Sequence, residues 1–298
     1  MKLSLIIVNY NTESYICDLL QDLMAQTLPT DQWQVVIVNN SQNDKLEIMT
    51  QRFQASLSCT IIQSPQNVGF GRAMNLGATV AKGEHLLITN PDIRIHNPDF
   101  LKTLLNHLER LPNYGVATCR ILDNKGIDGS EFDRFEFNEV FDIKGTAWFL
   151  GAFLAIRSSV YQKIGGFNPD FFMYCEDQDI CLRIHRIGLP LVKINELSVY
   201  HKGGSSESGK NYDYFYRMYR SNFLFAYLHF DKQKFHDLVS EHYKKSKNNS
   251  KKYFYFGKIG LLAIKKYKIQ QQKWLAIYDI TKKIKDEGVD WLHFKPQE

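Results

Sequence analysis

Short apolar runs alternate with amphipathic stretches through the first half of the chain. Leu3-Ser4-Leu5-Ile6-Ile7-Val8 is bounded by Asn9 and predicts a first, buried strand. A helix is expected from about Glu13 to Ala25, a second strand at Val35–Val38 and a helix over Lys45–Gln54. Thr60–Gln63 predicts a third strand, followed by a helix near Arg72–Val80. His85–Thr89 predicts a fourth strand, ending at Asn90-Pro91-Asp92. Asn97-Pro98-Asp99 then opens a helix to about Leu111, with proline at a permitted early position. Such alternation predicts an α/β fold with a mixed, mostly parallel sheet flanked by helices.

Beyond Gly115 the alternation weakens. Val116–Leu122 and Trp148–Ile156 are predicted as strands flanking a polar, acidic loop or flap, Asp123–Asp142. Glu176–Ile187 carries Ile180, Ile184 and Ile187 at helical spacing and stops at Gly188. From Tyr212 the chain turns helical, aromatic and then lysine-rich. The expected organisation is an α/β domain over 1–210 and a helical, lysine-rich extension over 211–298. There is no internal repeat.

Composition narrows the class. Hydrophobic residues make up 44% of the 298 and charged residues 23%, enough for a sizeable core. No apolar run is long enough to span a bilayer, and the N-terminal one is too short for a signal peptide. Cys17, Cys59, Cys119, Cys175 and Cys181 form no Cys-x-x-Cys pair, which argues against a disulfide framework or zinc site. A reducing cytoplasm fits that pattern.

Charge is unevenly placed. Residues 231–298 hold 16 lysines, no arginine and 8 acids, so the positive excess lies in this tail. With Tyr253, Phe254, Tyr255, Phe256, Leu261, Leu262 and Trp274 among the lysines, the tail suits an anionic membrane surface. The alternative is a solvated lysine face over an ordinary helical subdomain. Nucleic acid is disfavoured, because arginine and a known motif are both absent.

Polar residues follow successive strands where ligands of open α/β sheets sit: Asn9-Tyr10-Asn11, Asn39-Asn40-Ser41 and Asn90-Pro91-Asp92. Any one could be a simple turn; three at equivalent places point to a nucleotide site. Asn67-Val68-Gly69-Phe70-Gly71-Arg72 opens a helix whose N-terminus favours an anion, yet matches neither the Rossmann nor the P-loop pattern. Asp92, just past an apolar strand, is a candidate ligand for Mg²⁺ or Mn²⁺, or else a turn residue. Glu176-Asp177-x-Asp179 places acids at a helix start, where they either favour the dipole or supply a general base. Arg183, four residues after Asp179, is expected to pair with it. His201 and Lys202 begin a Gly/Ser loop, Gly203-Gly204-Ser205-Ser206, that could close over a diphosphate.

Taken in order, Ser4–Asn11, Asn67–Gly71, Asn90-Pro91-Asp92, Gly151-Ala152-Phe153, Gly165-Gly166-Phe167, Phe172–Arg183 and His201 resemble the family 2 glycosyltransferases. The likeness is to their bacterial rhamnosyltransferase branch, over about residues 3–206. This resemblance implies a GT-A fold and an inverting transfer of sugar, rhamnose from dTDP-rhamnose first and a UDP-hexose next. The acceptor would be a saccharide or lipid-linked saccharide of a bacterial surface polysaccharide. Asp177 would be the catalytic base, with Asp92 and His201 holding Mg²⁺ or Mn²⁺. Val8, Asn9, Tyr10, Asn11, Asn39, Asn40 and Ser41 would hold the nucleoside. Asn67, Gly69, Arg72 and Asn90 would complete the donor site, and Trp148, Gly151, Ala152 and Glu176 would line the acceptor pocket.

Two positions depart from the family pattern. Asn39-Asn40 replaces an Asp-Asn common in relatives, and Asn90 replaces the first acid of Asp-x-Asp, leaving fewer protein ligands for a cation. A nucleotidyltransferase is the nearest alternative, but Asn9-Tyr10-Asn11-Thr12-Glu13 lacks the Gly-rich, basic loop that grips a triphosphate. A catalytically silent nucleotide-sugar-binding protein is a further one.

Overall fold

The computed structural model describes residues 1–293 except 54, 112, 140, 144, 204–208 and 259–263; for 251–258 and 264–267 only the backbone is described. Gly204, Ser205, Ser206, Leu261 and Leu262, and the side chains of Tyr253–Phe256, therefore lie outside the described residues.

The chain begins with β1 (Leu3–Asn9), α1 (Glu13–Met24), β2 (Trp33–Asn39), α2 (Lys45–Thr50), β3 (Cys59–Gln63) and α3 (Phe70–Ala78). It continues with β4 (His85–Thr89), β5 (Ile93–Arg94), α4 (Phe100–Arg110), β6 (Val116–Leu122), β7 (Glu131–Phe132) and β8 (Trp148–Phe149). Then come β9 (Phe153–Arg157), α5 (Ser158–Lys163), α6 (Glu176–Arg186) and β10 (Leu191–His201). The main sheet runs β3-β2-β1-β4-β9-β6-β10-β5. β3, β2, β1 and β4 are mutually parallel, as are β6 and β10, while β9 runs antiparallel between β4 and β6.

Strands buried on both faces become continuous apolar runs, which is why β1 and β2 lack the polar alternation of a half-exposed sheet. Their side chains still divide by parity. Leu3, Leu5, Ile7, Val35 and Ile37 join the layer containing Ile16, Leu20 and Leu23 of α1 and Leu101 and Leu104 of α4. Ile6, Val8, Val36 and Val38 join the opposite layer, with Ala73 and Met74 of α3 and Ile180 and Ile184 of α6. Each such side chain contributes about 1.5–3 kcal/mol by leaving water. α3 lies so close to β1 that a Cβ on Gly77 would stand 2.4 Å from Ile6 Cγ2.

The chain forms two compact units. The first is Met1–Pro169 with Glu176–Ser206; the second is Asp170–Cys175 with Glu207–Glu298. In the second, α7 (Tyr212–His229) starts at Asn211, whose side chain accepts from Tyr214 N at 2.9 Å. α8 (Lys232–Lys258) and α9 (Ile264–Glu287) follow. Phe223 and Phe225 of α7, Val239 of α8 and Ala276, Ile277 and Ile280 of α9 are buried. Several described lysines lie over aromatic rings, among them Lys285 at 4.4 Å from the Tyr243 ring centre and Lys283 at 4.6 Å from that of Trp291. The segment ending at Cys175 holds Tyr174 at φ 73° and Cys175 at φ 64°. This left-handed region costs side-chain-bearing residues roughly 1–2 kcal/mol each.

Two expectations change. Trp148–Ile156 is not one strand: it breaks at Leu150-Gly151-Ala152 between β8 and β9. The acidic stretch 123–142 is not a bare loop either. β7 pairs with β8, Phe132 stacks on Trp148 with centroids 4.0 Å apart, and Asp128 pairs with Lys193 at 2.8 Å.

Candidate active site

Register at the carboxyl edge of the sheet places Asn9 beside Asn39 and Asn39 beside Gln63. Their amides form a closed network. Asn9 Nδ2 donates to Asn39 Oδ1 at 2.9 Å, and Asn39 Nδ2 to Gln63 Oε1 at 2.8 Å. Asn9 Oδ1 accepts from Thr12 N at 3.1 Å and Thr12 Oγ1 at 3.0 Å. Above it, Ser41 Oγ accepts from the Asn11 amide at 2.8 Å and holds Asn11 at φ 55°. Tyr10 stands 41% exposed at the same edge. Asn40 Nδ2 donates to the Gly69 carbonyl at 3.1 Å, which fixes the amide and leaves its Oδ1 buried without a partner. Asn67 Oδ1 accepts from Gly69 N, whose φ of 86° favours glycine.

Across the sheet, β5 pairs antiparallel with the end of β10, His201 opposite Ile93. This brings together residues far apart in sequence. His201 Nε2 lies 3.3 Å from Asp92 Oδ1 and 3.4 Å from Asn90 Nδ2. Gly203 N donates to the other Asp92 oxygen at 3.0 Å. Lys202 Nζ donates to Tyr15 OH at 2.7 Å. Two ligands about 2.1 Å from one octahedral cation stand roughly 3 Å apart, so Asp92 Oδ1 and His201 Nε2 fit neighbouring positions around a divalent ion. Among the described residues no group of three or more His, Cys, Asp or Glu converges. The remaining ligands would come from phosphate and water, as is usual for Mg²⁺ sites.

The break between β8 and β9 joins this corner to an acid. Asn90 N donates to Ala152 O at 2.9 Å, and the adjacent Gly151 N donates to Asp177 Oδ2 at 2.9 Å. Gln178 N holds the other oxygen, Asp177 Oδ1, at 2.9 Å. A Cβ on Gly151 would stand 3.0 Å from Asp177 Cβ. Asp177 is half-buried; Glu176 beside it is only 8% exposed, with Oε2 buried and unpartnered. Burial raises both carboxyls above their ordinary range, and the Asp177 charge raises Glu176 further. The two backbone amides pull Asp177 back towards ionisation.

Several expected site residues carry contacts within the protein. Asn9 and Asn39 are buried with their amides engaged in the network, and so support the ledge. Val8 and Ala152 point into opposite apolar layers. Arg72 Nε donates to the Pro169 carbonyl at 2.7 Å, which ties the side chain to the 164–169 turn. Trp148 stacks on Phe132 and donates to the Arg134 carbonyl at 2.6 Å. Asp179 pairs with Arg183 at 2.8 Å, as its spacing predicted, and Arg183 also holds the carbonyls of Ile164 and Gly166.

The profile of the family described as Glycosyl transferase family 2 matches residues 4–180, more than half of the chain. The chain belongs to that family. A second profile, Glycosyl transferase family group 2, matches residues 94–285 of this glycosyltransferase. The rhamnosyltransferase WbbL of Escherichia coli is 25% identical to it over 214 residues, 63% of this chain and 78% of WbbL. The poly(ribitol-phosphate) β-N-acetylglucosaminyltransferase TarS of Staphylococcus aureus is 32% identical over 140 residues, 47% of this chain but 24% of TarS. Among solved structures, TarS 1–349 with UDP-GlcNAc superposes with a TM-score of 0.61 at 20% identity, covering 98% of this chain and 84% of that one. The mannosyltransferase PcManGT of Pyrobaculum calidifontis, solved with GDP-Man and Mn²⁺, gives 0.61 at 18% identity, covering 96% and 88%. These likenesses establish that this family 2 glycosyltransferase has the GT-A fold.

Sequence reasoning missed Gln63, Thr12 and Glu13, which complete the buried amide network, and Glu136. Glu136 N donates to Gln178 Oε1 at 3.0 Å, beside Asp177. Gln63 carried a signal, since it ends a strand in register with Asn39. Glu136 carried none, because its partner lies on a distant helix.

Proposed function

We propose that this glycosyltransferase moves a sugar, with inversion, from a nucleoside-diphosphate donor to a hydroxyl of a bacterial surface glycan or its lipid-linked precursor. The observation that carries the reading is the pair of adjacent backbone bonds, Asn90 N to Ala152 O and Gly151 N to Asp177 Oδ2. They tie the Asn90-Pro91-Asp92 turn to a partly open carboxylate whose two oxygens are each held by a backbone amide. As the acceptor oxygen bonds to the anomeric carbon, the bond from that carbon to the diphosphate oxygen breaks. The acceptor's proton passes to Asp177. A base so placed contributes on the order of 10²–10⁴-fold. Asp92 and His201 would hold Mg²⁺ or Mn²⁺, whose charge would stabilise the departing diphosphate.

The unpartnered Asn40 Oδ1 suits an N–H or O–H donor of the nucleoside. The similarity to WbbL, a rhamnosyltransferase, supports rhamnose as the sugar, with dTDP-rhamnose the donor to test first, and that to TarS, solved with UDP-GlcNAc, supports a UDP-sugar. No helix among the described residues is long and apolar enough to cross a membrane. The lysine-rich extension would instead rest on an anionic surface at the inner face of the cytoplasmic membrane. Flotation with phosphatidylserine-containing liposomes checks this; protein remaining at the bottom of the gradient removes the membrane role.

The deciding experiment incubates a panel of nucleotide sugars with Mn²⁺ or Mg²⁺, and with chelator. Metal-dependent release of dTDP or UDP from one donor is expected. Absence of binding and release across the panel would overturn the reading.

A further inference from the structure

β8 runs alongside α6. Gly151 N, just past the strand, meets Asp177 Oδ2 in the helix's first turn at 2.9 Å. Two turns on, His185 Nε2 donates to the Ala147 carbonyl at 3.1 Å. Eight helical residues and four extended ones both cover about 12–13 Å, so the strand follows the helix without a detour. Trp148 lies on this strand, and its ring packs against the apolar layer that holds Ile180 and Ile184. Phe132 stacks on that ring, centroids 4.0 Å and planes 9° apart. The indole Nε1 donates to the Arg134 carbonyl at 2.6 Å, which fixes the ring's orientation. Phe132 lies outside both buried layers and is 38% exposed, with Asp133 and Arg134 exposed beside it.

A lone exposed phenylalanine needs no explanation. This one is singled out by its backing and its place. Along one short segment come Trp148 under the ring, Gly151 at Asp177, and Ala152, whose carbonyl accepts from Asn90 N of the candidate cation corner. Asp177 thus stands between the aromatic pair and the donor corner. The chain after Phe132 reaches the same acid, Glu136 N donating to Gln178 Oε1 at 3.0 Å. An acceptor saccharide needs this order: its hydroxyl meets the base while its remaining rings extend away from the donor. A pyranose has an apolar face of C–H groups, which the negative face of an aromatic ring attracts.

We propose that Phe132, backed by Trp148, is a subsite that stacks a sugar ring of the acceptor, next to the ring that receives the transferred sugar. Three extended residues carry the chain roughly 10 Å from Trp148 to Gly151, so the stacked ring is not the reacting one. The acceptor is then a saccharide of two or more rings. The proposal rests on the reading of Asp177 as the base, which fixes where the reacting hydroxyl lies.

Glucose, N-acetylglucosamine and rhamnose, each with its di- and trisaccharides, are titrated into wild type, Phe132→Ala, Phe132→Leu and Phe132→Tyr, with UDP or dTDP and Mn²⁺ present. Saturation-transfer NMR reads binding. Wild type is expected to hold a di- or trisaccharide more tightly than its monosaccharide. Phe132→Ala and Phe132→Leu are expected to weaken that binding ~5–10-fold, with monosaccharide affinity within about twofold. Leucine still covers Trp148, so its loss reports the flat ring and not the cover. Phe132→Tyr keeps the ring and is expected to bind as wild type does. Wild-type affinity in Phe132→Leu overturns the proposal, as does equal weakening for one ring and for two, or no binding across the panel. Binding needs no turnover, so the two readings fail separately. A saccharide held through Phe132 yet never glycosylated by wild type leaves the subsite standing while the functional reading falls. Glycosylation of a disaccharide unaffected by Phe132→Ala removes the subsite alone.

Discussion

Asp177 and Glu176 are neighbours whose oxygens meet different surroundings. Both Asp177 oxygens receive a backbone N–H, whereas Glu176 Oε2 meets none. Asp177→Asn is expected to keep nucleotide binding and lose transfer by ~10²–10⁴-fold. Nucleotide titration and turnover on one sample check this. The burial-raised pKa also sets a pH dependence. The base works only when ionised, so transfer should decline as pH falls through a value above the ordinary carboxylate range. The stability effect has the opposite sign: a raised carboxyl favours the folded state at low pH, and that contribution is lost as pH rises through the folded pKa. Asp177→Asn should therefore unfold no more easily than wild type at neutral pH, which separates lost chemistry from lost fold. Gly151→Ala would set a methyl 3.0 Å from Asp177 Cβ. It is expected to reduce kcat at least ~10-fold with an unchanged circular dichroism spectrum. The candidate base was legible through the family resemblance of the Glu176-Asp177 motif, since acids at a helix start also simply suit the dipole. The glycine that aims it was legible only as a motif letter.

Elements with strong local patterns were read closely. His85–Thr89 and Val116–Leu122 form strands with those bounds, because a buried strand is an unbroken apolar run between polar stops. Elements whose pairing is distant were read poorly. Trp148–Ile156 looks continuous, yet β8 pairs with β7 and β9 with β4, and the chain breaks where the partner changes. β10 leaves only a weak local pattern, since its residues alternate irregularly around a register shift between Ile194 and Ser198. α6 shows how one element serves two ends. Its first turn bears Asp177, while Asp179 and Arg183 clamp the Gly165-Gly166 turn through the Ile164 and Gly166 carbonyls. Asp179→Ala leaves Arg183 without its carboxylate in a largely buried place and should cost about 3 kcal/mol. Urea denaturation measures it, and a loss below about 1 kcal/mol would show the clamp to be dispensable.

At the scale of the molecule, the candidate cation corner exists because β5 and β10 close one edge of the sheet. His201→Ala should raise the Mn²⁺ concentration for half-maximal activity at least ~10-fold, and a metal titration of turnover reads this directly. An unchanged requirement would leave Asp92 to act without His201. The amino-acid sequence by itself determined the βα alternation, the polar stops at the strand ends, the Asp179–Arg183 pair and the basic extension. Each depends on residues within a few positions of one another, where periodicity and turn preference act directly. Tertiary structure alone decided which polar residues support and which face outward. Asn9 and Asn39 became a buried ledge because strand register set their amides together. Asp92 met His201, and Gly151 met Asp177, through pairings across long stretches of chain. Such contacts depend on how packed layers close, and local composition carries no trace of that.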